Sequence, residues 1–228
     1  MRNILIIIKK QIRDTLKNKM VLIQFILFPV MTLVMENAIN IDGMPELFFT
    51  KLFSVMYMGM APLTSTASII SEEKEKNTLR VLTMANVKPW EYLLGVGIYV
   101  WVICMIGAGV MATGMKNEDM PFYLFIMAVG FGISILAGAC IGIFARNQMT
   151  ATSIVMPVML VFAFSPMLAM FNESIEKVAR FAYTQQLKTL MDDMAFDGIR
   201  TDSILILAVN AAMMAVLFFI AFRKKGLE

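Results

Sequence analysis

The sequence holds no histidine and only two cysteines in 228 residues. Without histidine there is no Ser-His or Cys-His pair for nucleophilic catalysis, no imidazole proton relay and no zinc site of the usual composition. Cys104 and Cys140 fall at different depths of two apolar runs. At 1.5 Å per helical residue their offset exceeds about 10 Å, too far for a disulfide, so both are expected to be small apolar fillers. No GxxxxGK[ST] phosphate cradle is present, so the chain is not itself an ATPase, and no catalytic residue is expected. Charge is scarce at 16%, and none of it lies in the interior of a long apolar window. An ionisable side chain at mid-bilayer costs about 2.5–3.5 kcal/mol and is kept there mainly for proton relays, ion paths or voltage sensing. Its absence argues against a proton-coupled transporter and for energy supplied from outside the bilayer. A sodium site built from backbone carbonyls at a broken helix stays open, because it needs no charged residue. The 23 methionines could bind Cu(I). They are spread through every apolar run with no cysteine or histidine beside them, so flexible packing or a cavity tolerant of varied apolar cargo explains them more simply, and no metal site is expected.

What is present is hydrocarbon. With 59% apolar residues and a mean hydropathy of +0.73, the chain has too little polar surface for an ordinary soluble domain and reads as a membrane protein. Six windows approach or exceed the roughly 20 residues that cross a 30 Å hydrocarbon core: 20–35, 52–70, 92–115, 120–144, 149–171 and 204–222. The first is short and lengthens to Ile39 if Glu36 reaches the headgroups. An even number of crossings puts both termini on one side. The segments on that side hold 14 Lys and Arg against 6 on the other, which predicts cytoplasmic termini. Net charges of about +8 and −5 on the two sides reflect this topology rather than attraction to nucleic acid. The run before the first window is long, basic and without a small-residue cleavage site, so the first span is expected to be retained.

Residues 1–19 and 20–228 divide into an interfacial helix and a six-helix domain. Ile4, Leu5, Ile8, Ile12 and Leu16 repeat at helical spacing opposite Lys9, Lys10, Arg13 and Lys17, as in a helix lying in the membrane interface; a basic flank that only sets orientation fits the same residues. Between spans 5 and 6, Ile175, Val178, Ala182, Leu187, Leu190, Met191 and Met194 predict one or two short amphipathic helices with Glu173, Glu176, Asp192 and Asp193 outward. Asn172-Glu173-Ser174 matches a glycosylation triplet, a pattern common by chance. Ser134, Gly138 and Gly142 form a stripe where another helix can approach closely, first of all within the same subunit. Pro62, Pro157 and Pro166 free backbone carbonyls that need partners, either in a wet cavity or from neighbouring helices.

The densest information lies in 71–95, SEEKEKNTLRVLTMANVKPWEYLLG. Glu72, Glu73, Lys74, Glu75 and Lys76 precede Thr78, a candidate N-cap. Leu79, Val81, Leu82 and Met84 follow before Asn86 and Pro89 break the turn. A helix of two or three turns cannot hold itself in water without something to dock against. This pattern resembles the coupling region of type-2 ATP-binding-cassette (ABC) transporter permeases, the membrane half of ATP-driven exporters. The matching positions are Glu73 to Lys76, Thr78 and Leu79, Leu82, the turn at 87–89, and Trp90 with Glu91 leading into span 3. Asn77 departs from it, since glycine is common at that point.

The resemblance implies an all-α membrane protein with an N-terminal interfacial helix, six spans, a cytoplasmic coupling helix between spans 2 and 3, and short external or re-entrant helices between spans 5 and 6. It also implies separate cytoplasmic ABC ATPase subunits, two copies, which bind ATP and Mg and grip the coupling segment through Glu72, Glu73, Lys74, Glu75, Thr78, Leu79 and Leu82. This chain carries no cofactor of its own. A second permease copy would complete the pathway across a two-fold axis in a prokaryotic cell membrane. Phe53, Met60, Met159 and Phe162, on spans 2 and 5, are the expected cavity lining. Such a lining suits export of a drug, lipid or apolar peptide. The alternatives are sodium or polysaccharide export, or a non-transporting membrane scaffold or sensor.

Overall fold

The computed structural model describes residues 2–39, 43–193 and 201–225. The described residues form an all-α membrane protein with six helical stretches long and apolar enough to cross a bilayer. Helix α1 (Arg2–Lys17) is followed after Asn18 by α2 (Lys19–Ala38), the first span, which does extend past Glu36. Span 2 is α3 (Phe48–Glu75), 28 residues long, then the short α4 (Thr78–Met84) and span 3, α5 (Pro89–Met111). Span 4 is α6 (Met120–Phe144). Span 5 is composite: α7 (Gln148–Met159), a π-helical turn (Leu160–Phe164) and α8 (Ser165–Ala169). Then come α9 (Glu173–Ala179), α10 (Tyr183–Asp193) and span 6, α11 (Thr201–Lys225).

Helix α3 is the axis of the packing and the most buried span. Small residues on its neighbours let them close on it. A Cβ at Gly138 of α6 would stand 2.4 Å from the Leu63 carbonyl oxygen, and one at Gly142 would stand 2.8 Å from Ile70. On another side, a Cβ at Gly59 of α3 would meet the backbone of Phe162 and Ala163 at 2.8 Å. The Gly138–Gly142 stripe therefore serves packing within the subunit.

The prolines within two spans have their freed carbonyls satisfied from a neighbouring helix. Pro62 cannot donate to the carbonyl of Met58, four residues earlier, and the Ser134 hydroxyl of α6 donates to it instead at 2.6 Å. Pro29 in α2 likewise leaves the Phe25 carbonyl open, and the Tyr57 hydroxyl of α3 donates to it at 3.2 Å. The bonded residues lie 76 and 32 positions apart in the sequence.

Helices α9 and α10 form a re-entrant pair. Tyr183, the first residue of α10, bonds Ser134, which lies fourteen residues, or about 21 Å, from the Met120 end of α6. Asn210 of α11 holds the Phe181 carbonyl at 2.9 Å, nine residues into that span. From this depth α10 climbs back to the surface, where Asp192 approaches Lys51 near the Phe48 end of α3. Leu187, Leu190 and Met191 are buried on the bundle, whereas Ile175 is half-buried and Val178 faces outward. Met194 lies outside the described residues. Asn172 is the N-cap of α9, its side chain accepting from the amides of Ser174 and Ile175.

Candidate functional site

Asn77 decides where span 2 ends. Its φ of 56° is left-handed, a conformation that Asn and Gly adopt at low cost, so the residue in the position where glycine is common performs the glycine's task. The amides of Lys76 and Asn77 fold back onto the carbonyls of Glu72 and Lys74. Thr78 is thus the first helical residue of α4 rather than its cap. Asn86, again left-handed, closes α4, with the amide of Val87 donating to the Leu82 carbonyl as in a Schellman turn. A seven-residue helix is bracketed by two left-handed asparagines.

The two sides of α4 differ. Leu79 is buried and Leu82 packs partly against the core. Arg80, Val81 and Met84 face outward, with Val81 and Met84 62% and 76% exposed. Apolar side chains presented at the polar end of the bundle are an invitation to a partner surface.

The charged run before α4 belongs to the helix of span 2, which continues about one turn beyond Ser71. Its side chains mostly turn inward. Glu73 is 6% exposed, and its Oε1 accepts from Lys10 Nζ and Gln11 Nε2 of α1, both at 2.5 Å. The buried Tyr92 hydroxyl of α5 adjoins the same carboxylate. Lys74 Nζ donates to the Ile143 carbonyl at the end of α6, at 2.7 Å. Glu75 Oε2 accepts the Gln148 amide at 2.9 Å and so caps the start of α7. Glu72 pairs along the helix with Lys76, and this hydrogen bond holds the lysine amine above its ordinary range. Of the residues read from the sequence, Glu73, Lys74 and Glu75 tie span 2 to α1, span 4 and span 5. Leu79 and Leu82 anchor α4. Glu72 and Thr78 border an open cleft of about 490 Å³ between α1, α2 and α3.

Sequence reasoning missed the partners. The buried face of α1 is Ile7, Gln11 and Thr15, not its most apolar stripe; Leu5, Ile12 and Leu16 point away from the protein, as an interfacial helix requires. Thr15 bonds the Tyr99 hydroxyl, and Asn3 donates to Glu91, which also caps the start of α5 through the Lys88 amide. The polar residues Asn3, Gln11 and Thr15, at i, i+8 and i+12 on one helical face, were the available signal.

Along the membrane-crossing part of α3, half-exposed residues form one stripe: Phe53, Met60, Thr64 and Ser68. It is flanked by α2 on one side, where Gln24 takes hydrogen bonds from Thr64 and Ser65, and by α7 on the other, where Gln148 donates to Ser68. The half of the stripe near α4 is polar but uncharged, and the far half is apolar. Phe53 packs at 6.3 Å on Phe28 and 6.0 Å on Phe49. Met159 and Phe162 sit on span 5, half-buried, with the Phe162 ring 4.9 Å from that of Tyr183. Among the described residues no cluster of three or more His, Cys, Asp or Glu side chains converges as a metal site.

Among curated proteins none matches the chain. The family model described as ABC-2 family transporter protein matches residues 3–223, from the first turn of α1 to the end of α11, and the chain belongs to that family of ABC transporter membrane subunits.

Proposed function

We propose that this permease is half of an exporter driven by separate cytoplasmic ABC ATPase subunits, two per complex, which bind ATP and Mg and grip the outer face of α4. The observation that carries this reading is the pair of exposed apolar side chains, Val81 and Met84, on a short helix whose other side is locked to the bundle by Leu79 and Leu82. In this division of labour the exposed face is pushed, and Glu73, Lys74 and Glu75 distribute the push to α1, α6 and α7. The α4 end and both termini then face the cytoplasm, in line with the excess of Lys and Arg there. A second copy faces the Phe53–Ser68 stripe and span 5, enclosing a path that is polar near the cytoplasm and apolar further out. That gradient, without any charged side chain, favours a hydrophobic or amphiphilic cargo with a neutral polar end.

The test is Val81→Asp with Met84→Asp. Both lie outside the bilayer, so insertion and fold should be kept while co-purification of the ATPase and its stimulated turnover fall at least about tenfold, the loss of one or two interface anchors. Undiminished association sinks the assignment of α4. For cargo, vesicles containing the permease and its ATPase should accumulate a lipophilic dye on adding ATP; transport restricted to a small hydrated ion overturns that part.

A further inference from the structure

A groove of about 560 Å³ opens on the lipid-facing side between α5, α6 and α11. Its lining is carbon almost throughout: Trp90, Leu94 and Trp101 of α5, Ile135 of α6, and Phe218 with Phe222 of α11. Gly97 gives it depth, because a Cβ there would touch only Ile135, at 3.6 Å. Phe218 and Phe222 stack at 6.2 Å to form one wall. Trp101 closes the deep end, pinned by its indole N–H to the Ala128 carbonyl at 3.1 Å. From Trp90 to Trp101 the groove runs eleven residues, about 16 Å, which matches the roughly 15 Å of hydrocarbon in one leaflet. Its mouth lies at the α4 end of the bundle. There Arg223 and Lys224 directly follow Phe222, and Lys88 lies two residues before Trp90; all three are exposed.

We infer that this groove is a binding site for an anionic phospholipid, with one acyl chain between Trp90 and Trp101 and the phosphate among Arg223, Lys224 and Lys88. A second protein helix would cover the apolar wall but has no use for the exposed basic residues that the sequence places beside Trp90 and Phe222. A zwitterionic lipid would fill the groove without profiting from them. Each basic side chain near the membrane surface favours an anionic headgroup by about fivefold.

The protein carries its own probe, because both of its tryptophans line the groove. The full chain in phosphatidylcholine vesicles is titrated with phosphatidylglycerol, or phosphatidylcholine, brominated on its acyl chains, and tryptophan quenching is read. The anionic lipid should reach half-maximal quenching at a mole fraction at least about fivefold lower than the zwitterionic one. Arg223→Gln and Lys224→Gln combined with Lys88→Gln, all at exposed positions, should bring the two curves together without abolishing either. Gly97→Leu should weaken quenching by both lipids; the charge variant carries the test on its own if that one misfolds. Coincident curves for the unaltered chain overturn the site, as does a preference that survives the charge variant. Tryptophans shielded from both lipids overturn it too, since they place a second copy of the chain in the groove.

Discussion

Tyr57 and Ser134 each spend a hydroxyl on a carbonyl that a proline in another position of the bundle has left open. Inside a bilayer no water can take over, so the loss of one such donor leaves a buried acceptor unsatisfied. Tyr57→Phe should lower stability by about 1–3 kcal/mol, read as a lower melting temperature in detergent. Pro29→Ala, which restores the helical amide, should recover much of that loss in the double variant. Gly132 and Gly138, six residues apart on α6, make a sharper pair. Open space surrounds Gly132, so Gly132→Ala should stabilise by up to about 1 kcal/mol through helix propensity alone. At Gly138 the added methyl would collide with backbone, and Gly138→Ala should destabilise instead. Equal effects would refute the close approach of α3 and α6. Legibility at this scale was partial. The prolines announced that carbonyls needed partners, and the small stripe announced a contact. That Ser134 belongs to both stories was invisible, because a hydroxyl in a span carries no periodic signal of what it bonds.

Among the elements, α4 was readable from the Thr-Leu spacing and the breakers at Asn86 and Pro89, while the charged run before it was misleading. Five ionisable residues in a row suggest a loop, yet the α-helical hydrogen-bond ladder does not stop at the bilayer edge; it stops where Asn77 turns left-handed. The partners of Glu73 lie more than 60 residues away, on α1, which local pattern cannot supply. Glu73→Gln removes the charge that Lys10 answers and should cost about 1.5–3 kcal/mol locally. Amide exchange across α1 should then speed up at least tenfold, with the amides of α6 unaffected. Glu75→Ala has a different consequence. It cuts the bond from α3 to the first amide of α7, whose N-cap Asn147 stays in place, so ATPase binding should persist while ATP-driven transport drops, measured as turnover against transported substrate. Loss of both in parallel would assign Glu75 to the grip rather than to transmission.

For the whole molecule, the six-span layout was plain in hydropathy because each span is a long uncharged run. The depth reached by α10 was not, since eleven amphipathic residues look the same lying on a membrane or dipping into it; Tyr183 on Ser134 settles which. Spans 1, 5 and 6 bury little of their surface within one chain. If a second copy covers span 5, a cysteine at Leu160 should cross-link to its twin in membranes, in a chain whose Cys104 and Cys140 are replaced by alanine. A cysteine at Ile106, equally exposed but on span 3, should not. Cross-linking at both sites alike would point to random collision.

The pair of hydroxyls on Tyr183 and Ser134, which ends on the Met58 carbonyl, has one more effect. It stitches the start of α10 to the waist of a rod about 42 Å long whose Glu75 end leads into α4. In the proposed exporter, a tilt delivered at that end would carry the start of α10 with it, so the two halves of the rod would answer one push together.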